Sequence, residues 1–375
     1  MSADPDRPLR ILHVLRAPVG GLFRHVMDLA SAQAARGHKV GLLADSITGG
    51  GRADEALARI APELALGIDR IPMDRLPSRR DLRGISLAAR RAKMVRADIV
   101  HGHGAKGGLF ARLGGGKALK AYTPHGGSLN YSKWTPGGFL YLGCESLLRF
   151  RTDVSLFESE YASSVYQTKV GKPRGIARVV HNGISAGEFE PALPVPEASN
   201  LVFVGELARR KGVDILLQAL AELNRQGRTV TLTAVGSGPE EDELRALANE
   251  LGLANQVRFL PPMNARQAFS LGRVLVVPSR AESLPYIVLE GVAASMPIIA
   301  CNVGGIPEIF GAYADALVPA GDPDALAGAI GTDLGTLTAR TLRVRARVRS
   351  SFSTEAMCDG IMSAYREGLA ARRSR

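Results

Sequence analysis

Few stretches of the chain leave as little freedom as the one from Val274 to Glu308. It opens with an apolar run, Val274 to Val277, of the kind a buried parallel strand requires. Ser279, Arg280 and Ala281 turn the chain at that strand's C-terminal end. Ser283 is read as the N-cap of a following helix, with Pro285 in its first turn, where a missing N–H costs nothing. The helix carries Glu290 to about Ser295 and ends at Met296-Pro297. Ile298 to Ala300 starts a second strand, and Val303-Gly304-Gly305-Ile306-Pro307-Glu308 opens the next helix. A strand-turn-helix unit repeated this closely predicts an open parallel α/β sheet, and such sheets bind ligands at the C-terminal edge of their strands.

Two carboxylates fall at that edge, Glu282 in the turn and Glu290 on the helix. A carboxylate accepts several hydrogen bonds, so a pair suits a ligand rich in hydroxyls. Gly304-Gly305 lets backbone amides approach a ligand at a helix start, which suits phosphate. The spacing of the glutamates within this frame resembles the Glu-x7-Glu signature of the retaining glycosyltransferases of family GT4. The resemblance implies the GT-B fold, that is, two Rossmann-like, doubly wound parallel-sheet domains with a cleft between them. It further implies that Glu282 approaches the sugar of a nucleotide-sugar donor and Glu290 its ribose. The amides around Gly304, Gly305 and Ile306 would serve the sugar or diphosphate.

The remaining chain is consistent with two domains, for which 375 residues suffice. Ile11 to Leu15 reads as a first strand, the loop through Gly20 and Gly21 as a phosphate-tolerant turn, and Phe23 to Arg36 as a helix. The dinucleotide fingerprint G-x-G-x-x-G is missing there, which argues against a Rossmann dehydrogenase. In GT4 proteins a glycine pair at this place faces the donor, so Gly20 and Gly21 are donor-site candidates. Ala97 to Val100 is a strand followed by a His101-to-Gly108 loop, in which His101 reads as structural and Lys106 as an aid to acceptor or phosphate binding. Lys120 to Thr123 precedes Pro124-His125-Gly126, and this T-P-H-G resembles the GT4 loop whose histidine reaches the donor sugar. Tyr131 to Arg151, with Trp134, is an acceptor-side element, and the Asn182-Gly183 turn resembles the family's interdomain hinge. The predicted boundaries are an acceptor-side domain over 1–184, a linker over 185–200, a nucleotide-sugar domain over 201–354 and a helix over 355–375 crossing back to the first domain.

In the second domain Gly205 to Gly212 forms a strand-to-helix loop with three consecutive cations, Arg209, Arg210 and Lys211, suited to a diphosphate. GT4 proteins commonly carry G-R-L-x-x-x-K-G here. Lys211 matches, but Glu206 stands where the arginine is usual, leaving Arg210 or Arg209 to supply the second charge. Pro262 and Met263 match a loop that cups the nucleobase. The catalytic candidates are therefore His125, Glu282, Lys211 and Arg210.

The formal charge of +11 and pI near 9.9 call for anionic partners. Basic residues cluster between Arg70 and Arg96 and again between Arg340 and Arg349, the first reading either as a helix with an ordinary solvated basic face or as one that docks on an anionic membrane. Nucleic acid is a poor fit, because only 5% of residues are aromatic and few rings accompany those clusters. Cys144, Cys301 and Cys358 form no framework or zinc pattern, no apolar run approaches a membrane span, and the N-terminus has no signal-peptide core, so a cytoplasmic site is expected. The D-x-D patterns, Asp4-Pro5-Asp6 and Asp322-Pro323-Asp324, read as tail and helix cap, so neither metal nor cofactor is expected. The reading is a retaining, metal-independent glycosyltransferase of cell-surface polysaccharide or exopolysaccharide biosynthesis. It takes a nucleotide-sugar donor and a glycan or lipid-linked acceptor. The alternatives are another GT-B sugar-nucleotide enzyme, such as an epimerase, or a basic nucleic-acid-binding protein.

Overall fold

The computed structural model describes residues 7–374, so Asp4 and Asp6 lie outside the described residues. The chain divides into two compact units, the first running to Gly183 and resuming at Thr354, the second spanning Ile184–Ser353.

The first unit alternates strand and helix: β1 (Arg10–Leu15), α1 (Gly20–Ala35), β2 (Lys39–Asp45), α2 (Gly50–Ile60), β3 (Gly67–Ile71), α3 (Arg80–Met94), β4 (Ile99–His103), α4 (Gly104–Gly114), β5 (Leu119–Thr123), α5 (Pro136–Leu148), β6 (Val154–Phe157), α6 (Glu160–Lys169) and β7 (Ile176–Val179). Its seven strands pair in parallel in the order β3-β2-β1-β4-β5-β6-β7. The order reverses between β1 and β4, and the crevice at such a switch point is where the fold offers a site. One sheet face buries Leu12, Val14 and Val100 with Phe110 and Ala88. The other buries Ile11, Ile99 and Ala121 with Leu29.

The second unit contains β8 (Ser199–Val204), α7 (Val213–Arg225), β9 (Leu232–Val235), α8 (Glu241–Glu250), β10 (Val257–Leu260), α9 (Ala265–Phe269), β11 (Gly272–Val277), α10 (Tyr286–Ala293), β12 (Ile298–Ala300), α11 (Ile306–Phe310), α12 (Pro323–Ile330) and α13 (Leu334–Ser351). Five parallel strands run β10-β9-β8-β11-β12, with a switch point between β8 and β11. The last helix, α14 (Thr354–Arg373), returns to the first unit, where Met357, Ile361 and Tyr365 complete the Ile11 and Ile99 side of the core.

Several expected boundaries move. Residues 185–200, expected as a linker, belong to the second unit, where Phe189 is buried and a Ser185–Glu188 capping box orders a short helical turn. The helix α1 begins at Gly20 rather than Phe23. His101 and His103, expected in a loop, complete β4, because a parallel partner on each side extends the strand to His103. Pro285, not Ser283, is the residue before α10, and α10 ends at Ala293 rather than near Ser295. Helix α13 was hidden behind its arginines. It is held by a stripe of Leu337, Thr341, Val344 and Val348 at helical spacing.

The basic stretch, read as a solvated face or a membrane-docking helix, is partly neutralised. Arg70 pairs with Asp54, Arg91 with Asp69 and Arg80 with Asp74. Its helix α3 nonetheless leaves Leu82 and Met94 exposed beside Arg83, Arg90 and Lys93.

Candidate active site

In the second unit the turns that leave β8, β11 and β12 are tied together before any ligand is considered. Gly212 adopts φ +69°, and a side chain there would overlap the Pro278 carbonyl. The Arg280 amide donates to the Arg210 carbonyl at 2.8 Å. The Arg280 guanidinium grips both oxygens of Asp214 at 2.6 Å, anchoring the β11 turn to the start of α7. Gly304 has φ +60°, and a Cβ there would overlap the Glu282 carbonyl. Only glycine meets both demands, a left-handed backbone and a neighbouring carbonyl at touching distance.

This scaffold presents one central ion pair. Lys211 Nζ lies 2.5 Å from Glu282 Oε1, and Ser279 Oγ donates to the same oxygen at 2.8 Å. Both side chains are largely withdrawn from solvent, 14% exposed for Lys211 and 7% for Glu282. The pair stands at the switch point, Lys211 after β8 and Glu282 after β11. Arg210 is tied differently. Its guanidinium meets Glu206 at 2.6 Å with both partners about half exposed, so the glutamate that replaces the usual arginine neutralises its neighbour. Two of the three amides expected to face a ligand are used within the loops: Gly305 N–H donates to Ser283 O at 2.7 Å and Ile306 N–H to Val303 O at 3.2 Å. Glu290 sits in the second turn of α10, half-buried, and Pro262 and Met263 follow the edge strand β10. Asp322 caps α12, accepting from the Ala325 amide.

In the first unit Gly20 and Gly21 are the exposed first residues of α1. His125 follows β5 with φ +53°, a strained setting for a residue with a side chain. It does not stand alone. The parallel register sets His13 beside His101 and Leu15 beside His103. Odd-numbered residues of β1 and β4 therefore share one face, the face covered by α1. There His13 Nε2 meets Gln33 Oε1 at 2.8 Å, His13 Nδ1 meets His103 Nε2 at 2.9 Å, and His103 Nδ1 meets His125 Nε2 at 3.1 Å. His101 bonds Thr123 at 2.9 Å and Tyr365 at 2.6 Å, while His25 bonds Asn182 at 3.0 Å. Burial pushes the His13 and His25 imidazoles down to about 4 and holds His101, His103 and His125 well below the ordinary histidine range, so all five are neutral at pH 7.

The sets His13–His101–His103 and His25–His103–His125 bring ring nitrogens within 4.8 Å of one another. Three imidazoles can hold a metal ion. Here, however, most of these nitrogens are spent on each other or on Gln33, Thr123 and Tyr365. Of the histidines, sequence reasoning had singled out His101 and His125, with His103 falling inside the loop read after Val100. It missed His13, His25 and Gln33. The signal available was the alternation of His101 and His103 on one strand, which only the pairing with β1 converts into a cluster.

A cavity of about 410 Å³ opens beside this cluster within the same unit, lined among others by Arg16, Arg75, Lys106, His103, Tyr131 and Tyr141. Lys106 is already committed, at 2.7 Å, to the buried Asp81. Glu145 on the cavity wall is bonded to Arg112 and to the Tyr122 hydroxyl, so among the described residues the lining cations without an ion-pair partner are Arg16 and Arg75. Around α5 the surface is unusually apolar: Trp134 is 85% exposed, Phe139 76% and Leu147 72%. Lys133 covers the Trp134 ring, and Arg149 and Arg174 cover Phe150.

Comparison with known proteins agrees with this architecture. Residues 19–188 match the profile of Glycosyltransferase Family 4 and residues 198–334 that of Glycosyl transferases group 1. A D-inositol 3-phosphate glycosyltransferase of Acidothermus cellulolyticus is 35% identical over 222 residues, 52% of this chain and 49% of the relative. The chain thus spans about half the length of the curated relatives it matches. Among solved structures, sucrose-phosphate synthase from Thermosynechococcus elongatus superposes with TM-score 0.77 at 23% identity, covering 97% of this chain and all (100%) of the other. An Anabaena protein, HepE, in complex with UDP and glucose superposes with TM-score 0.76 at 18% identity, covering 95% of this chain and 98% of the other. Two family profiles over consecutive segments, 19–188 and 198–334, and a two-sheet architecture shared with these structures, place the chain in glycosyltransferase family 4 with the GT-B fold.

Proposed function

We propose that the chain transfers a hexosyl group from a nucleoside diphosphate-sugar to an acceptor hydroxyl, with retention of anomeric configuration. The observation that carries this reading is the Lys211–Glu282 pair, a cation and a carboxylate held largely out of solvent at the switch point of the second unit's sheet. The ammonium supplies positive charge for a departing diphosphate, and the carboxylate accepts from sugar hydroxyls, so one pair addresses both ends of the donor. Arg210 adds a second cation once Glu206 releases it. The Gly304 loop completes the sugar side, Glu290 takes the ribose, and Pro262 and Met263 border the base. In the first unit His125, with Gly20 and Gly21, meets the donor sugar. Retention follows from same-face attack by the acceptor, which needs no enzyme nucleophile. Lys211 and Arg210 take the place a divalent cation would fill, so the reaction runs without metal or cofactor.

The acceptor reading is a lipid-linked glycan of cell-surface polysaccharide synthesis, reached from the cytoplasmic face of the membrane. The exposed Trp134, Phe139 and Leu147, with cations over the neighbouring rings, support peripheral contact with an anionic bilayer. Among the described residues no helix is long and apolar enough to cross a membrane. A second reading, a soluble polyol phosphate acceptor, is favoured by Arg16 and Arg75 in the cavity and by the names of the curated relatives.

The test is a thermal-shift panel of UDP, GDP, ADP and their sugar conjugates on the wild-type protein and on Glu290→Ala. Stabilisation by one nucleotide family, lost in the variant, is the expected result and names the base. A panel without any shift in the wild type rejects the donor site. The anomeric proton of the product, read by NMR, then decides retention.

A further inference from the structure

The hydrogen bonds from Gln33 to His125 have a direction, and that direction ends at the candidate sugar-binding histidine. Gln33 Nε2 points at Met362 Sδ, 3.6 Å away, so the amide's donor side is turned there. Its oxygen therefore faces His13 Nε2, and an oxygen accepts: His13 carries its proton on Nε2. A neutral imidazole has one donor and one acceptor, so His13 Nδ1 accepts, and the proton in that bond belongs to His103 Nε2. His103 Nδ1 then accepts in turn, and the proton there belongs to His125 Nε2. His125 is left with Nδ1 as its single unprotonated nitrogen. A parallel branch joins the Tyr365 hydroxyl to His101 Nδ1 and His101 Nε2 to Thr123, and since a hydroxyl at either end can donate or accept, it follows either sense. Reversing His125 alone would set two N–H groups or two lone pairs against each other, so the whole row would have to turn over.

We propose that Gln33, His13 and His103 are positioning residues that lock His125 in its Nε2–H tautomer and thereby make it a hydrogen-bond acceptor toward ligand. The ligand atom it meets must then bring a proton. A sugar hydroxyl qualifies, whereas a sugar carboxylate, an acceptor only, is rejected. This specificity rests on His125 facing the donor sugar, as proposed above; the tautomer lock does not.

Long-range ¹H–¹⁵N correlation spectra of the imidazoles in the full chain at pH 7.5 test the lock directly. In the wild type His125 is expected to show a protonated Nε2 and a bare Nδ1. Gln33→Leu removes the terminal acceptor, and a mixture of His125 tautomers is expected; Gln33→Glu keeps an oxygen in place and restores the single form. Should Gln33→Leu fail to fold, His13→Phe removes the next acceptor in the row with the same expected mixing. A wild-type His125 protonated on Nδ1, or a tautomer indifferent to these variants, overturns the lock. For the specificity, the hexose and hexuronate conjugates of the nucleotide found in the thermal-shift panel are compared, with at least tenfold weaker binding expected for the hexuronate. Equal binding overturns the acceptor role. Binding of neither sinks the transferase reading and the ligand half of this proposal with it, while the spectra judge the lock on their own.

Discussion

The two sheets share a strand order around the switch point, yet they fill it with opposite chemistry. The first unit holds all seven histidines of the chain, and its switch point is packed with neutral imidazoles. The second unit has no histidine, and its switch point carries full charges in pairs, Lys211–Glu282 and Arg280–Asp214. Topology thus fixes where polar groups gather but not how their burial is compensated. Neutral rings in a directed row lose little on desolvation, while ions need a partner at close range. The same fold can therefore supply an orienting surface in one unit and an electrostatic one in the other.

Acid should separate the two units most strongly. His13 and His25 have folded values of about 4 against an ordinary 6.5. The unfolded chain therefore binds protons that the folded one refuses. The stability from these two groups is complete above pH ~6.5 and disappears as the pH falls toward ~4, about 3 kcal/mol for each at 1.36 kcal/mol per pKa unit. Hydrogen exchange followed by peptide at pH 7.5 and pH 5 should show β1 and β4 losing protection while β8 and β11 keep theirs. Equal losses in both units would break the contrast.

Next in size is Lys211→Met, which strands the Glu282 carboxylate with Ser279 as its remaining bonded partner in the pair. A loss of about 3–5 kcal/mol is expected in the second unit. The double variant Lys211→Met/Glu282→Gln should lose clearly less than the sum of the singles, read from exchange in β8 and β11. Additive losses would mean that the two side chains are not coupled. Smallest is Glu206→Gln. Its pair with Arg210 is exposed, so stability should change by less than about 0.5 kcal/mol. Freeing Arg210 should tighten nucleoside diphosphate binding by roughly fivefold, on the order of 1 kcal/mol, in a calorimetric titration. Weaker binding would show that Glu206 serves the ligand itself.

The alternation of apolar runs and helix patterns made the two α/β units legible, because parallel strands buried on both faces announce themselves residue by residue. The loop motifs made Glu282 and Lys211 legible in the same way, since glycine and proline mark where a turn must be. The histidine row was not legible. His13 and Gln33 are 20 residues apart and His13 and His103 are 90 apart, so their meeting depends on which strands become neighbours. Helix α13 was obscured for a different reason: its buried stripe is only four residues wide in 18, and arginines fill the rest. The Glu206–Arg210 pair was equally out of reach, because sequence reported a missing arginine but not that the glutamate would occupy the next one.

The return of α14 to the first unit bears on how the protein is made. Synthesis runs from the N-terminus, so strands β1 to β7 leave the ribosome well before the helix that supplies Tyr365 to His101 and covers Ile11 and Ile99. The second unit is one uninterrupted segment and has every residue of its core by Ser353. The unit begun first is thus completed last. Until α14 emerges, the histidine row lacks its outer wall, and a nascent chain stalled short of that helix presents its apolar sheet face to chaperones and proteases.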